Sequence, residues 1–121
     1  MQESWNFKLA ENTDFGKAEN LKGAIKEALS VQQKELGIFL SYYYKSDGAV
    51  VEDVELEKFL ELNSGGSGKA LFSFRLIFYN ACLNIHEKEK DKMELDFVVD
   101  PNGKSLELTG PFVPERGMDD I

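Results

Sequence analysis

At 121 residues, with 42% hydrophobic and 12% aromatic side chains, the chain is long enough for one domain over 1–121 and too rich in core-forming residues for disorder. Its 14 basic and 22 acidic side chains give a formal charge of −8, which argues against nucleic acid or an anionic membrane as partner and favours a basic protein. The single Cys82 excludes an internal disulfide and a cysteine-rich zinc site. The opening MQESWNFKLA lacks the basic and apolar regions of a secretory signal, and no apolar run is long enough to span a bilayer, so a cytoplasmic location is expected.

Trp5, Phe7 and Leu9 alternate with Asn6 and Lys8, which predicts a short first strand. After a polar segment from Glu11 to Gly16, the residues Ala18, Leu21, Ile25, Ala28 and Leu29 recur at helical spacing, predicting one helix over about Lys17–Lys34. Gly23 weakens this helix and suggests a place where a strand comes close. Gly37–Lys45, GIFLSYYYK, is β-branched or aromatic at most positions and is read as a strand. Ser46-Asp47-Gly48 then makes a tight turn into a return strand, Ala49–Leu56. Alternation on that strand puts Val50, Val54 and Leu56 on one face and Val51, Asp53, Glu55 and Glu57 on the other. Phe59, Leu60 and Leu62 fit either a strand extension or a helical turn.

Asn63–Gly68 reads as a flexible connection into the most apolar stretch, Lys69–Ile85, the expected central strand. Its core face takes Ala70, Phe72, Phe74, Leu76 and Phe78, after which the parity inverts at Asn80 and Asn84. Fully extended, this run would reach roughly 55 Å at ~3.3 Å per residue, against a radius of gyration of about 13–14 Å for a domain of this size. A β-bulge or bend near Tyr79–Ala81 resolves both problems, and an apolar second face covered by a partner is the alternative. His86–Lys92 reads as a charged hairpin connection. Met93, Leu95, Phe97 and Val99 mark the clearest half-buried strand, Asp100-Pro101-Asn102-Gly103 a turn, and Leu106 and Leu108 the last strand, with a loosely held tail over about 113–121. The expected class is α+β: a curved antiparallel meander of five to six strands packed on one long N-terminal helix, in the order β-α-β-β-β-β-β. Hot-dog and cystatin-like folds share this architecture, and architecture alone assigns no function.

The chemical motifs are sparse. Ser67-Gly68-Lys69 lacks the leading Gly and the Ser/Thr of a phosphate-binding loop, and it opens a strand instead of a helix. His86 beside Glu87 is a His–carboxylate pair with no placed nucleophile. The carboxylate pairs Glu52/Asp53, Glu94/Asp96 and Asp119/Asp120 fall on wet positions, where nothing raises their pKa for catalysis. Neither catalytic residues nor a cofactor or metal are expected. The surface candidate is Tyr43, taken to lie on an open sheet face beside Asp53, Glu55 and Glu57, an aromatic framed by acids that suits an Arg- and Lys-rich protein. The functional expectation is a non-enzymatic acidic binding protein, of the inhibitor or immunity type, neutralising a basic partner such as a toxin nuclease. The competing expectation is a small-ligand domain with an apolar pocket between helix and sheet, edged by Asn80, Asn84 or His86. Oligomeric state is left open.

Overall fold

The computed structural model describes residues 2–10, 16–63, 65–80, 85–102 and 104–113, the side chains of 79–80 and 85–89 excepted. Within them the chain runs β1 (Ser4–Lys8), α1 (Ala18–Val31), α2 (Gln33–Ser41), a 3-10 turn (Lys45–Asp47), β2 (Ala49–Leu62), β3 (Ser67–Asn80), β4 (Ile85–Asp100) and β5 (Ser105–Thr109). The strands form one five-stranded sheet in the order β1-β5-β4-β3-β2, every neighbouring pair antiparallel. β2 to β5 are therefore a meander, and β1 closes onto its last strand. The α+β class and the antiparallel meander are as expected. The single long helix and the strand over Gly37–Lys45 are not.

That segment is helical because Leu36, Phe39, Leu40 and Tyr43 stand at i, i+3, i+4 and i+7, a helical stripe that outweighs the β propensity of its aromatics. Leu36, Phe39 and Leu40 are fully buried, and burying a side chain such as Phe39 stabilises by about 1.5–3 kcal/mol relative to leaving it in water. The helix breaks at Gln32, whose backbone leaves the α region at φ −103° and ψ 31°. Its side chain is engaged there: Nε2 donates to the carbonyls of Ala28 (3.1 Å) and Lys8 (2.8 Å), while Oε1 accepts the Lys8 N–H. The amide thus stands in for a neighbouring strand along the edge of β1.

Helix α2 touches both edges of the sheet. On the β2 edge, Ser41 Oγ accepts the Val51 N–H at 2.9 Å and Gln33 Nε2 donates to the Val54 carbonyl at 2.7 Å. Gly37 sits so close there that a Cβ would lie 3.2 Å from the Val51 carbonyl oxygen. On the β1 side, Trp5 packs on Phe39 and Tyr42 with ring centroids 6.2 and 6.0 Å away. One short helix reaches opposite edges only because the sheet curls around it. The close approach expected of Gly23 falls to Gly37, since a Cβ on Gly23 would meet nothing within 4 Å.

The curvature comes from β2. Its pairing with β3 shifts between Glu52 and Glu55, between Leu56 and Lys58, and between Phe59 and Glu61. Each extra residue flips which parity faces the helices. Hence Ala49 and Val51 point inward, then Val54 and Leu56, then Phe59, then Leu62, while Val50 is exposed. The expected facing of Val50 and Val51 is corrected by the first of these bulges, where Asp53 takes φ 53°.

β3 itself carries no bulge: its ladder with β4 is unbroken from Ser67–Val98 to Asn80–Ile85. The bulge expected near Tyr79–Ala81 does not interrupt the ladder as far as Asn80, which pairs with Ile85. Residues 81–84, with Cys82 and Asn84, lie outside the described residues, as do Gly103 and the tail from 114. His86–Lys92, expected as a connection, belongs to β4. The turn after Asn63 is tight: Gly66 N–H donates to the Asn63 carbonyl, Asn63 N–H to that of Ser67, and Val99 N–H to that of Gly66. Between helices and sheet, Phe7, Phe39, Phe72 and Phe97 anchor one continuous apolar cluster, and no polar side chain is buried among the described residues. No described helix is long and apolar enough to cross a membrane.

Candidate protein-docking face

The helices cover one face of the sheet. An open groove of about 770 Å³ is lined by outward residues of β2, β3 and β4 and reaches through the sheet to Gln33 of α2 and the inward-facing Phe74 and Asp91. Its position follows from the first β2 bulge. Asp53 and Val54 together oppose Phe74, so β2 swings away from β3, and Gln33 binds the Val54 carbonyl from the helix side. Asp tolerates the left-handed backbone better than most side chains, which is a local reason for its place at the bulge.

One rim is acidic. Asp53, Glu55 and Glu57 line it, all three exposed, and Ser73 Oγ donates a short hydrogen bond to Glu57 Oε1. The opposite rim is basic: Arg75 from β3, with Lys90 and Lys92 from β4, all exposed. Arg75 Nε stands 3.8 Å from Asp53 Oδ2, with both side chains largely in solvent, so this pair contributes little to stability. A second groove of about 630 Å³ between α2 and β2 shares Gln33 and Asp53 with the first and exposes Ile38 and Val50.

Beneath the basic rim, the Tyr44 hydroxyl donates to Asp91 Oδ2 at 2.8 Å, and the Lys92 N–H donates to Asp91 Oδ1 at the same distance. Burial pushes the Tyr44 hydroxyl far above the ordinary tyrosine range, and its bond to Asp91 and the charges of Asp91 and Asp47 push the same way. Tyr44 is thus held as a neutral donor, and its ring packs edge-on to Phe74. The pair braces β4 against the α2–β2 connection.

The expected neighbourhood of Tyr43 is not formed. Asp53, Glu55 and Glu57 come together, but Tyr43 sits at the end of α2 against the other edge of the sheet. Its hydroxyl accepts the Glu3 N–H at 2.8 Å, and its ring meets Phe39 edge-on at 6.4 Å. Gly110 lies so near that a Cβ there would be 2.3 Å from the Tyr43 hydroxyl oxygen. Burial raises the pKa of this hydroxyl, the hydrogen bond from Glu3 opposes that shift, and the Glu3 charge adds to it. Tyr43 is a tether between helix and sheet edge.

Arg75, Lys90 and Lys92 were not visible as site residues in the sequence, yet a signal existed: acid and base alternate strictly from Glu87 to Lys92, a period of two that marks a strand. Glu94 and Asp96 are exposed, as anticipated for a wet face. Among the described residues, no three His, Cys, Asp or Glu side chains are grouped so as to hold a metal ion. Comparison with protein-family models, curated proteins and solved structures finds no match for this chain.

Proposed function

We propose that this is a non-enzymatic acidic binding protein of the inhibitor or immunity type, which neutralises a basic partner such as a toxin nuclease through the uncovered sheet face. The observation that carries the reading is the grouping of Asp53, Glu55 and Glu57 on one rim of an open groove. Glu55 has no ion-pair partner among the described residues and Asp53 has only a long one, so both are available to a cationic group. The net charge of −8 would steer a basic partner toward the protein and raise the association rate at low salt. The small-ligand alternative needs a pocket between helices and sheet edged by Asn80, Asn84 or His86, whose side chains lie outside the described ones, and the packing of Phe39, Phe72 and Phe97 there favours the binding reading.

The test starts with recovery of a stoichiometric basic protein from the host that makes this chain, at low and at high salt. Association rates are then measured for Glu55→Lys/Glu57→Lys and for Asp53→Asn, which removes charge while tolerating the left-handed backbone. The double reversal is expected to slow association about tenfold or more at low salt, with the difference shrinking as salt rises. Affinity unchanged in the double reversal would reject these residues as the site.

A further inference from the structure

The groove has two rims of opposite sign, which a uniformly basic partner does not match. Arg75 stands directly opposite Lys90 in the β3–β4 register, and Lys92 follows opposite Ser73. Like charges facing each other across a strand pair are unfavourable, and neither lysine has an ion-pair partner among the described residues. Arg75 also faces Glu52 across the β2–β3 pair and lies near Asp53, and Asp91 between the two lysines is taken by the Tyr44 hydroxyl, so it is Lys90 and Lys92 that present unpaired cations to the groove. The acids across the groove make no ion pair with either lysine among the described residues: Glu57 accepts from Ser73, and Asp53 meets Arg75 at 3.8 Å in solvent.

From this we infer that the segment filling the groove is itself of mixed charge, an extended stretch of the partner with Lys or Arg over Glu55 and Glu57 and Asp or Glu over Arg75, Lys90 and Lys92. The inference rests on the proposed binding role and specifies its partner. Spacing follows from the sheet. The acids lie on β2 and the two lysines on β4, two strand spacings or about 10 Å apart with Arg75 of β3 between them, and an extended chain covers that distance in about three residues. A basic and an acidic residue three apart, running across the strands, would satisfy both rims. Because about 10 Å is close to the screening length at moderate salt, a purely cationic segment bound at the acidic rim would still feel the basic one.

Three blocked peptides test this by amide chemical-shift titration of the full chain at low ionic strength: Lys-Lys-Gly-Ser-Glu-Glu, Lys-Lys-Gly-Ser-Lys-Lys and Glu-Glu-Gly-Ser-Glu-Glu. The mixed peptide is expected to bind about tenfold tighter than either single-sign peptide, shifting amides on both rims, the sum of a few exposed pairs. Lys90→Glu/Lys92→Glu should abolish that advantage and make the all-lysine peptide the tightest. Lys90→Gln/Lys92→Gln should equalise the mixed and all-lysine peptides, and both variants alter only exposed side chains. If the all-lysine peptide binds the native chain as tightly as the mixed one, with shifts confined to β2, the mixed-charge inference is overturned while the basic-partner reading stands. Tightest binding by the all-glutamate peptide, or no shift on either rim, overturns both.

Discussion

Replacing Tyr43 separates a tether from a binding residue. Tyr43→Phe deletes one acceptor, the hydroxyl that takes the Glu3 N–H at 2.8 Å, and leaves the edge-on contact with Phe39 in place. A hydrogen bond of this kind is worth about 0.5–1.5 kcal/mol net, and the stranded, half-buried N–H keeps the loss near the upper part of that range. Tyr43→Ala removes the ring as well. It opens space beside Phe39 and Gly110, and a half-buried aromatic truncated this way costs about 2–4 kcal/mol. For a domain of this size each kcal/mol corresponds to roughly 3–5 °C in Tm. Urea titration followed by the fluorescence of Trp5, the only tryptophan, reads this corner directly, because Trp5 packs on Phe39 and Tyr42. The expected order is native, then Phe, then Ala, with association to a basic partner unchanged in the Phe variant. A Phe variant as stable as the native protein, or one that loses binding while keeping stability, would refute the tether.

Other consequences follow from the same geometry. Gly68→Ala should destabilise by about 3 kcal/mol in urea, since its Cβ would lie 2.0 Å from the Glu61 carbonyl oxygen and 2.9 Å from the Phe97 ring. Gly23→Ala should stabilise by about 0.5–1 kcal/mol in the same assay, because its Cβ enters open space on an exposed helical position. Tyr44→Phe should cost about 1–2 kcal/mol at pH 7 by leaving Asp91 Oδ2 without its donor. The folded-state pKa of Tyr44 is raised, so its contribution is complete below the unfolded tyrosine value of about 10 and is lost as pH rises above it. The gap between native and Tyr44→Phe urea midpoints should therefore narrow from pH 7 to pH 11, and a constant gap would contradict that assignment.

Periodicity was most legible where one face of an element is dry and the other wet. Met93, Leu95, Phe97 and Val99 alternate cleanly because β4 lies inside an unbroken ladder, and Leu21, Ile25, Ala28 and Leu29 form the buried stripe of α1. Aromatic content misled the reading of Gly37–Lys45. Its helical spacing competes with strand propensity, and the contacts of Leu36, Phe39 and Leu40 decide between them. On β2 alternation failed three times, once for each register shift, because a bulge is a relation between two strands and leaves no fixed mark on either. For the site, acidity and the cluster of Asp53, Glu55 and Glu57 could be read directly from the chain. The opposing Arg75, Lys90 and Lys92 could not, since they lie far along the sequence and become neighbours only through the β2–β3–β4 pairing.

Local chemistry thus determined what repeats within one element: the amphipathic stripe of α1, the alternation of β4 and β5, and the Asp100 turn, where the Asn102 N–H donates to Asp100 Oδ1. Tertiary structure decided what depends on partners distant in sequence. It turned an aromatic run into a helix bridging both sheet edges, made Tyr43 a tether to Glu3, and set the acids of β2 across a groove from Lys90 and Lys92 of β4. The physical reason is common to all three: burial and pairing energies depend on which surfaces meet, and they exceed the intrinsic preference of any single residue.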